Sequence, residues 1–292
     1  MPTAISIDGA LIEPEQAAIP VMDRGFLYGD SAFEVTRTYG GHPFELGAHL
    51  ARLAWSCERI GIPPLEEAVL RADVLAALAA AGNDESYVRV IVTRGVTAIG
   101  LGTGGEVRPR RVVVVLPLTP QPSELYERGV EVRTVTMVRA LDGSGAAGAK
   151  ASNYLPNILA LEAARAHGAY EAISLGAGGE LLEGSTSNLF VVKGGRVRTP
   201  RLSLGILSGI TRRVVMRAAG EEGVPLEEAL LFPPDLYRAD EAFITSSLRE
   251  MIPVVRADGV AIGDGAPGPL TKRLFAAFGR VRDALLAGER ER

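Results

Sequence analysis

Residues 130–168 read VEVRTVTMVRALDGSGAAGAKASNYLPNILALEAARAHG, and three changes of pattern within them decide how the chain is organised. VEVRTVTMV alternates with period two, as a half-buried strand does. LDGSGAAGAKASN is a run of small residues without periodicity, hence a loop. From residue 154 to residue 166 the apolar positions recur three and four apart, which predicts a helix. The loop carries Lys150. Lysine occurs only at 150, 193 and 272 among 31 basic residues, a general preference for arginine. Lys193 precedes Gly194-Gly195 at a turn and Lys272 adjoins Arg273 on a terminal amphipathic segment, so both read as solvated charges. Lys150 differs. Small neighbours would let a planar molecule reach its amine, which could form a Schiff base with a carbonyl compound.

Upstream of this stretch, AISIDG and FEVTRTYGGHPF are strand-like, with Gly40-Gly41 punctuating a hairpin. Residues 46–60, LGAHLARLAWSCERI, place Leu50, Leu53, Ala54, Cys57 and Ile60 at helical spacing, with His49, Arg52 and Arg59 expected to project elsewhere. PLEEAVLRADVLAALAAAG is a second helical run that stops at Gly82, and YVRVIVTRG and RRVVVVLPL follow as strands. Pro117, Pro120 and Pro122 cannot donate to a ladder, so LPLTPQPSE reads as a linker. The expected domains are residues 1–116, small and α/β, and residues 126–292, larger and mixed α/β, joined through residues 117–125. Downstream, strands AISLG, NLFVVKGG and EAFITSS alternate with helices near residues 210–219 and 270–286. The fold class is α/β (α+β) without repeats. Neither GxxxxGK[ST] nor a strand-turn-helix GxGxxG occurs, so the common nucleotide fingerprints are absent.

Composition narrows the partners. The 292 residues are 47% hydrophobic and 23% charged with a net charge of -4, an ordinary globular balance without a basic footprint for nucleic acid or an anionic membrane. A small molecule is the expected partner. The one cysteine, Cys57, excludes an internal disulfide and suits a reducing compartment, and His42, His49 and His167 lack metal-ligand spacing. With no basic-then-apolar leader and no run of 18 apolar residues, the protein is expected in the cytoplasm.

Three features around Lys150 suit a pyridine aldehyde bearing a phosphate. SGITRRVV opens a helix after a Ser-Gly turn, so the N–H groups of Ile210 and Thr211 and the Thr211 hydroxyl can receive a dianion at the positive helix end; an ordinary N-cap would look the same. Glu183 in ELLEGSTSNLF could hold a ring nitrogen protonated, or be an exposed turn glutamate. Arg52 could complete a phosphate site by a bidentate contact, or be a surface arginine.

In order along the chain, DRGFLYGDSAFEVTRTYGG, PFELGAHLARL, YVRVIVTRG, KASNYLPNILALEAARAHG, EGSTSNLFVVKGG, LGILSGITR and ITSSLREMIPV resemble the class IV, or fold type IV, family of pyridoxal 5'-phosphate enzymes. That family holds branched-chain and D-amino-acid aminotransferases and aminodeoxychorismate lyase. The resemblance implies Lys150 as Schiff-base lysine and proton shuttle, Glu183 on the pyridine nitrogen, Tyr154 on the ring hydroxyl, and Leu207 against the ring. It implies Arg52, Ile210, Thr211 and Ser247 around the phosphate. It also implies two α/β domains and a homodimer with sites at the domain boundary. Tyr28, Phe33, Arg37, Tyr87 and Arg89 match substrate-side positions of the branched-chain enzymes, while Val35 stands where those enzymes usually have glycine and D-amino-acid enzymes have valine. RGVTAIGLGTGG lacks the Arg or His with which D-amino-acid enzymes bind the carboxylate. The resemblance also implies that the turn of Ser247, Leu248 and Arg249 lies over the substrate, so Arg249 could hold a carboxylate or be a solvated loop arginine. The expected function is transfer of an amino group between an L-branched-chain or aliphatic amino acid and a 2-oxo acid. The alternatives are a D-amino-acid or (R)-amine transaminase, the lyase, and a regulatory protein that only binds the cofactor.

Overall fold

The computed structural model describes residues 2–63, 65–103, 107–137 and 143–290. The chain divides into two compact units, Met1–Thr119 with Gly143–Asn153, and Pro120–Asp142 with Tyr154–Arg292. The short segment that carries Lys150 therefore belongs with the N-terminal residues.

The first unit holds a sheet of strands β1 (Ala4–Ile7), β2 (Ala10–Ile12), β3 (Ser31–Tyr39), β4 (His42–Pro43), β5 (Ser86–Thr93) and β6 (Arg110–Pro117), ordered β2-β1-β6-β5-β3-β4. Helices α1 (Arg24–Tyr28), α2 (Leu46–Arg59) and α3 (Glu67–Ala81) accompany it. Both tight hairpins follow from their turn residues. Asp8-Gly9 and Gly40-Gly41 take positive φ at both positions, the backbone whose twist matches antiparallel strands. Helix α3 stops at Gly82, which is left-handed at φ 58°. The core lies where Leu50, Leu53 and Cys57 of α2 and Val74 and Ala77 of α3 meet Val88, Val90 and Val92 of β5.

Helix α2 corrects one expectation. Its buried stripe is Leu46, His49, Leu50, Leu53, Ser56 and Cys57, so His49 lies within the apolar face rather than projecting away from it. Position 49 is three residues from Leu46 and four from Leu53, and an imidazole can be buried there because a partner awaits it on β3.

The second unit holds β7 (Val130–Thr136), β8 (Glu171–Leu175), β9 (Leu181–Gly184), β10 (Asn188–Lys193), β11 (Arg196–Pro200), β12 (Leu226–Ala229), β13 (Glu241–Ser246), β14 (Glu250–Ala257) and β15 (Val260–Ala261). The sheet order is β12-β11-β10-β13-β14-β7-β8-β9, with β15 on β14. Pairs β7–β8, β14–β7 and β11–β12 are parallel and the rest antiparallel. Parallel neighbours need crossovers. Helix α5 (Leu155–Arg165) lies on the path from β7 to β8, and α6 (Ile210–Glu221) on the path from β11 to β12. Helices α4 (Glu124–Glu127), α7 (Pro233–Tyr237) and α8 (Pro269–Arg290) complete the unit, and α8 packs on α6. Among the described residues no helix is long and apolar enough to cross a membrane.

Candidate active site

In the first unit β3 and β5 pair Phe33 with Ile91, Val35 with Arg89 and Arg37 with Tyr87. Side chains alternate across a strand, so Phe33, Val35, Arg37, Tyr87 and Arg89 share one face of the sheet. The segment carrying Lys150 extends the sheet at the start of β3. The Phe33 N–H donates to the Lys150 carbonyl at 3.0 Å, the Ser152 N–H donates to the Ser31 carbonyl at 2.9 Å, and Ala32 bridges Ala151. Lys150 Nζ stands 4.5 Å from the centre of the Phe33 ring and the Arg89 guanidinium 4.1 Å from the same centre. Two cations thus share one aromatic ring. Among the described residues Arg89 has no carboxylate partner. Tyr28 ends α1, its hydroxyl accepting the Gly100 N–H at 3.2 Å.

The opposite face of β3 turns Glu34 toward α2. Its carboxylate accepts from Arg52 Nε at 2.6 Å and Arg52 Nη2 at 2.7 Å, and His49 Nδ1 lies 2.7 Å from Oε2. Burial would raise the Glu34 carboxyl, but the charge and hydrogen bonds of Arg52, with the contact from His49, outweigh it and hold the group at about 2. Burial pushes His49 below its ordinary 6.5; Glu34 opposes the fall, and the charges of Arg52 and Lys150 add to it. A neutral ring facing a carboxylate carries its proton on Nδ1. Nε2 is buried and finds no partner among the described residues.

In the second unit Glu183 lies on β9, not in an exposed turn. Its Oε2 accepts the Leu207 N–H at 3.0 Å and Asn188 Nδ2 at 3.3 Å, and the same Nδ2 donates to the Leu207 carbonyl at 3.0 Å. Asn188 therefore binds the carboxylate strand to the segment entering α6. That helix is capped by Gly209, which has no side chain to cap with, and Ile210 and Thr211 after it are buried. A Cβ at Gly209 would fall on Asn188 Oδ1, so the glycine lets the two segments close. Tyr154 occupies the N-cap position of α5. Ser247 and Leu248 lie in the turn from β13 to β14. Beside them Arg249 is no solvated loop residue. Its guanidinium donates to Thr186 Oγ1 at 2.6 Å and to Glu171 at 3.1 Å, and Glu171 is fully buried.

Glu34, His49, Asn188 and Glu171 are the polar residues that reading the sequence did not single out. For Glu34 a signal was present: SAFEV puts a carboxylate between apolar neighbours on a strand, and a buried carboxylate requires a cation.

The class IV amino-transferase family matches residues 31–257 of this chain. The chain is a class IV aminotransferase. A relative described as a putative branched-chain-amino-acid aminotransferase of Methanocaldococcus jannaschii is 36% identical over 95% of this chain and 96% of its own length. The D-alanine aminotransferase of Bacillus licheniformis is 34% identical over 94% and 95%. Among solved structures, the branched-chain amino acid aminotransferase of Escherichia coli superposes with a TM-score of 0.89 at 30% identity, covering 96% of this chain and 94% of that one. Solved structures of this kind include a branched-chain amino acid aminotransferase with pyridoxamine 5'-phosphate. The aminotransferase is accordingly a pyridoxal-phosphate-dependent transaminase of fold type IV. Its residues fit that cofactor. The second unit offers an anchored carboxylate for a basic ring nitrogen and a helix start with no side-chain cap for a dianion, and the first offers a lysine on an aromatic ring.

Proposed function

We propose that this aminotransferase moves the amino group of L-branched-chain or related aliphatic amino acids to a 2-oxo acid. The observation that carries the reading is the face shared by Phe33, Val35, Tyr87 and Arg89, an aromatic and aliphatic surface holding a guanidinium with no carboxylate of its own among the described residues. A monocarboxylate suits Arg89, and an aliphatic side chain suits the rest. Arg37, whose guanidinium lies over the Tyr39 ring at 4.3 Å, Tyr28 and Leu248 belong to the same substrate side in this reading. Val35 favours a second reading, a D-amino-acid donor, since the resemblance gives D-amino-acid enzymes that residue.

Bound pyridoxal phosphate supplies an aldehyde for an amine and a ring that takes up electrons. Around it, Lys150 Nζ binds the aldehyde and carries the proton of the substrate Cα. Glu183 holds a proton at the ring nitrogen, Tyr154 orients the ring hydroxyl, and Leu207 packs on the ring. Arg52, the N–H groups of Ile210 and Thr211, and Ser247 bind the phosphate. Arg249, already paired with Glu171, shapes the turn above the substrate.

The working form in this reading is a cytoplasmic homodimer. Leu155, Ile158 and Leu159 are 64%, 54% and 61% exposed along one side of α5, an apolar stripe that a second copy would cover. The lone, buried Cys57 suits a reducing compartment.

Two measurements test the reading. Borohydride reduction of the loaded enzyme should fix the cofactor to Lys150, and fixation at Lys193 or Lys272 would overturn the assignment. Mixing the loaded enzyme with single amino acids should bleach its cofactor absorbance faster with L-leucine or L-valine than with D-alanine or an (R)-amine. The reverse order would establish the second reading.

A further inference from the structure

The contact between Glu34 and Arg52 is unusual for an anion-binding arginine, because it sets a carboxylate beside the guanidinium meant to receive a phosphate. Charge alone would argue against it. Geometry argues for it: Glu34 is 1% exposed and grips Arg52 through Nε and Nη2, one whole edge of a planar group. A guanidinium held by one edge in two bonds has a fixed plane, and the direction of its opposite edge is fixed with it. His49 sets Glu34 in turn, through the 2.7 Å contact of Nδ1 with Oε2. The imidazole keeps this orientation although its Nε2 is buried without a partner among the described residues. A group selected for stability alone would have had that atom satisfied or replaced by an apolar one.

We infer that Glu34 and His49 are positioning residues for the phosphate of the cofactor, acting through Arg52. The inference rests on the reading of Arg52 as a phosphate ligand. It predicts that Glu34 matters chiefly to ligands bearing a phosphate, since the side chains its carboxylate binds are Arg52 and His49.

The test titrates the full-length chain, freed of cofactor, with pyridoxal 5'-phosphate and separately with pyridoxal, following absorbance and fluorescence. Glu34→Gln keeps the shape, removes the charge and turns one acceptor into a donor facing Arg52. It should weaken pyridoxal phosphate about 10- to 100-fold, the scale of losing an oriented charge-assisted contact, and leave pyridoxal within about twofold. The effect should vanish in an Arg52→Gln background. Equal losses for both ligands would show a merely structural role and overturn the inference, as would no loss. If Glu34→Gln does not fold, His49→Phe carries the same test with a smaller phosphate-specific loss, and equal losses there overturn it likewise. Arg52→Gln alone separates the two levels. If it fails to distinguish the ligands, the phosphate reading itself falls; if it distinguishes them and the Glu34 and His49 variants do not, only the positioning role falls.

Discussion

His49 titrates against its surroundings. Its folded value lies below 6.5, so as pH falls past 6.5 the unfolded chain takes up a proton that the native chain refuses. Stability contributed by the neutral ring is present above that pH and lost below it, by at most about 1.4 kcal/mol per pH unit for one group. Glu34 stays ionised in the same window, because its loss spans the interval from 4.5 down to about 2. The melting temperature should therefore fall between pH 7.5 and 5.5, and fall less in His49→Asn. An equal fall in both proteins would show that His49 is not the responsible group. At this scale the sequence was partly legible. The small-residue loop around Lys150 singled it out among three lysines, and FEVTRTYGGHPF read as a strand leads to the shared face of Phe33, Val35 and Arg37 on β3. The partners of Glu34 were not legible, because His49 and Arg52 lie 15 and 18 residues away on a helix whose rotation about its axis is settled by packing.

Helix α6 begins at a crowded place. Gly209 has ordinary backbone angles, φ -65° and ψ 135°, so alanine is conformationally acceptable there. Space is the obstacle, since the new methyl would occupy the position of Asn188 Oδ1. Gly209→Ala should displace Asn188, cost about 1–3 kcal/mol in denaturant unfolding and weaken pyridoxal phosphate. Adding Asn188→Ala should relieve the clash, so that the double variant is more stable than the sum of the two single losses; simple additivity would mean that the two residues do not meet. The turn residues Gly40-Gly41 and Gly82 announced their elements because such φ values are local properties of the chain. An exposed turn stays open as an alternative for Glu183 in the sequence because β9 is four residues long, too short for period two to show, and its pairing with β8 is set from elsewhere in the sheet.

For the molecule as a whole, the stripe on α5 is an apolar feature that its own unit leaves uncovered. The other side of this helix is used, with Ala160 and Ala164 packed against Ala169 and Ala172. Small residues inside and large ones outside invert the usual arrangement, and in the proposed reading this patch is where a second copy docks. Ile158→Arg should shift the mass measured by light scattering from two chains to one, whereas an unchanged mass would exclude α5 from the contact. Reading the prolines after residue 116 as a linker places residues 143–153 in the second domain, whereas they cluster with the first unit; small-residue loops carry no periodicity that would reveal their neighbour.

The return of those residues also bears on the order in which the protein is made. The chain crosses between its units three times, and β3 lacks its partners at Phe33 and Ser31 until residues 150–152 have been synthesised. At about 5–20 residues per second, roughly two to seven seconds separate the emergence of residue 119 from that of residue 153. During that interval the nascent first unit presents an unpaired strand edge, the kind of surface that recruits another chain. A ribosome stalled between these positions would leave a fragment with all six strands of its sheet and an unfinished border, so vectorial synthesis, more than the finished fold, is where this architecture is exposed to aggregation.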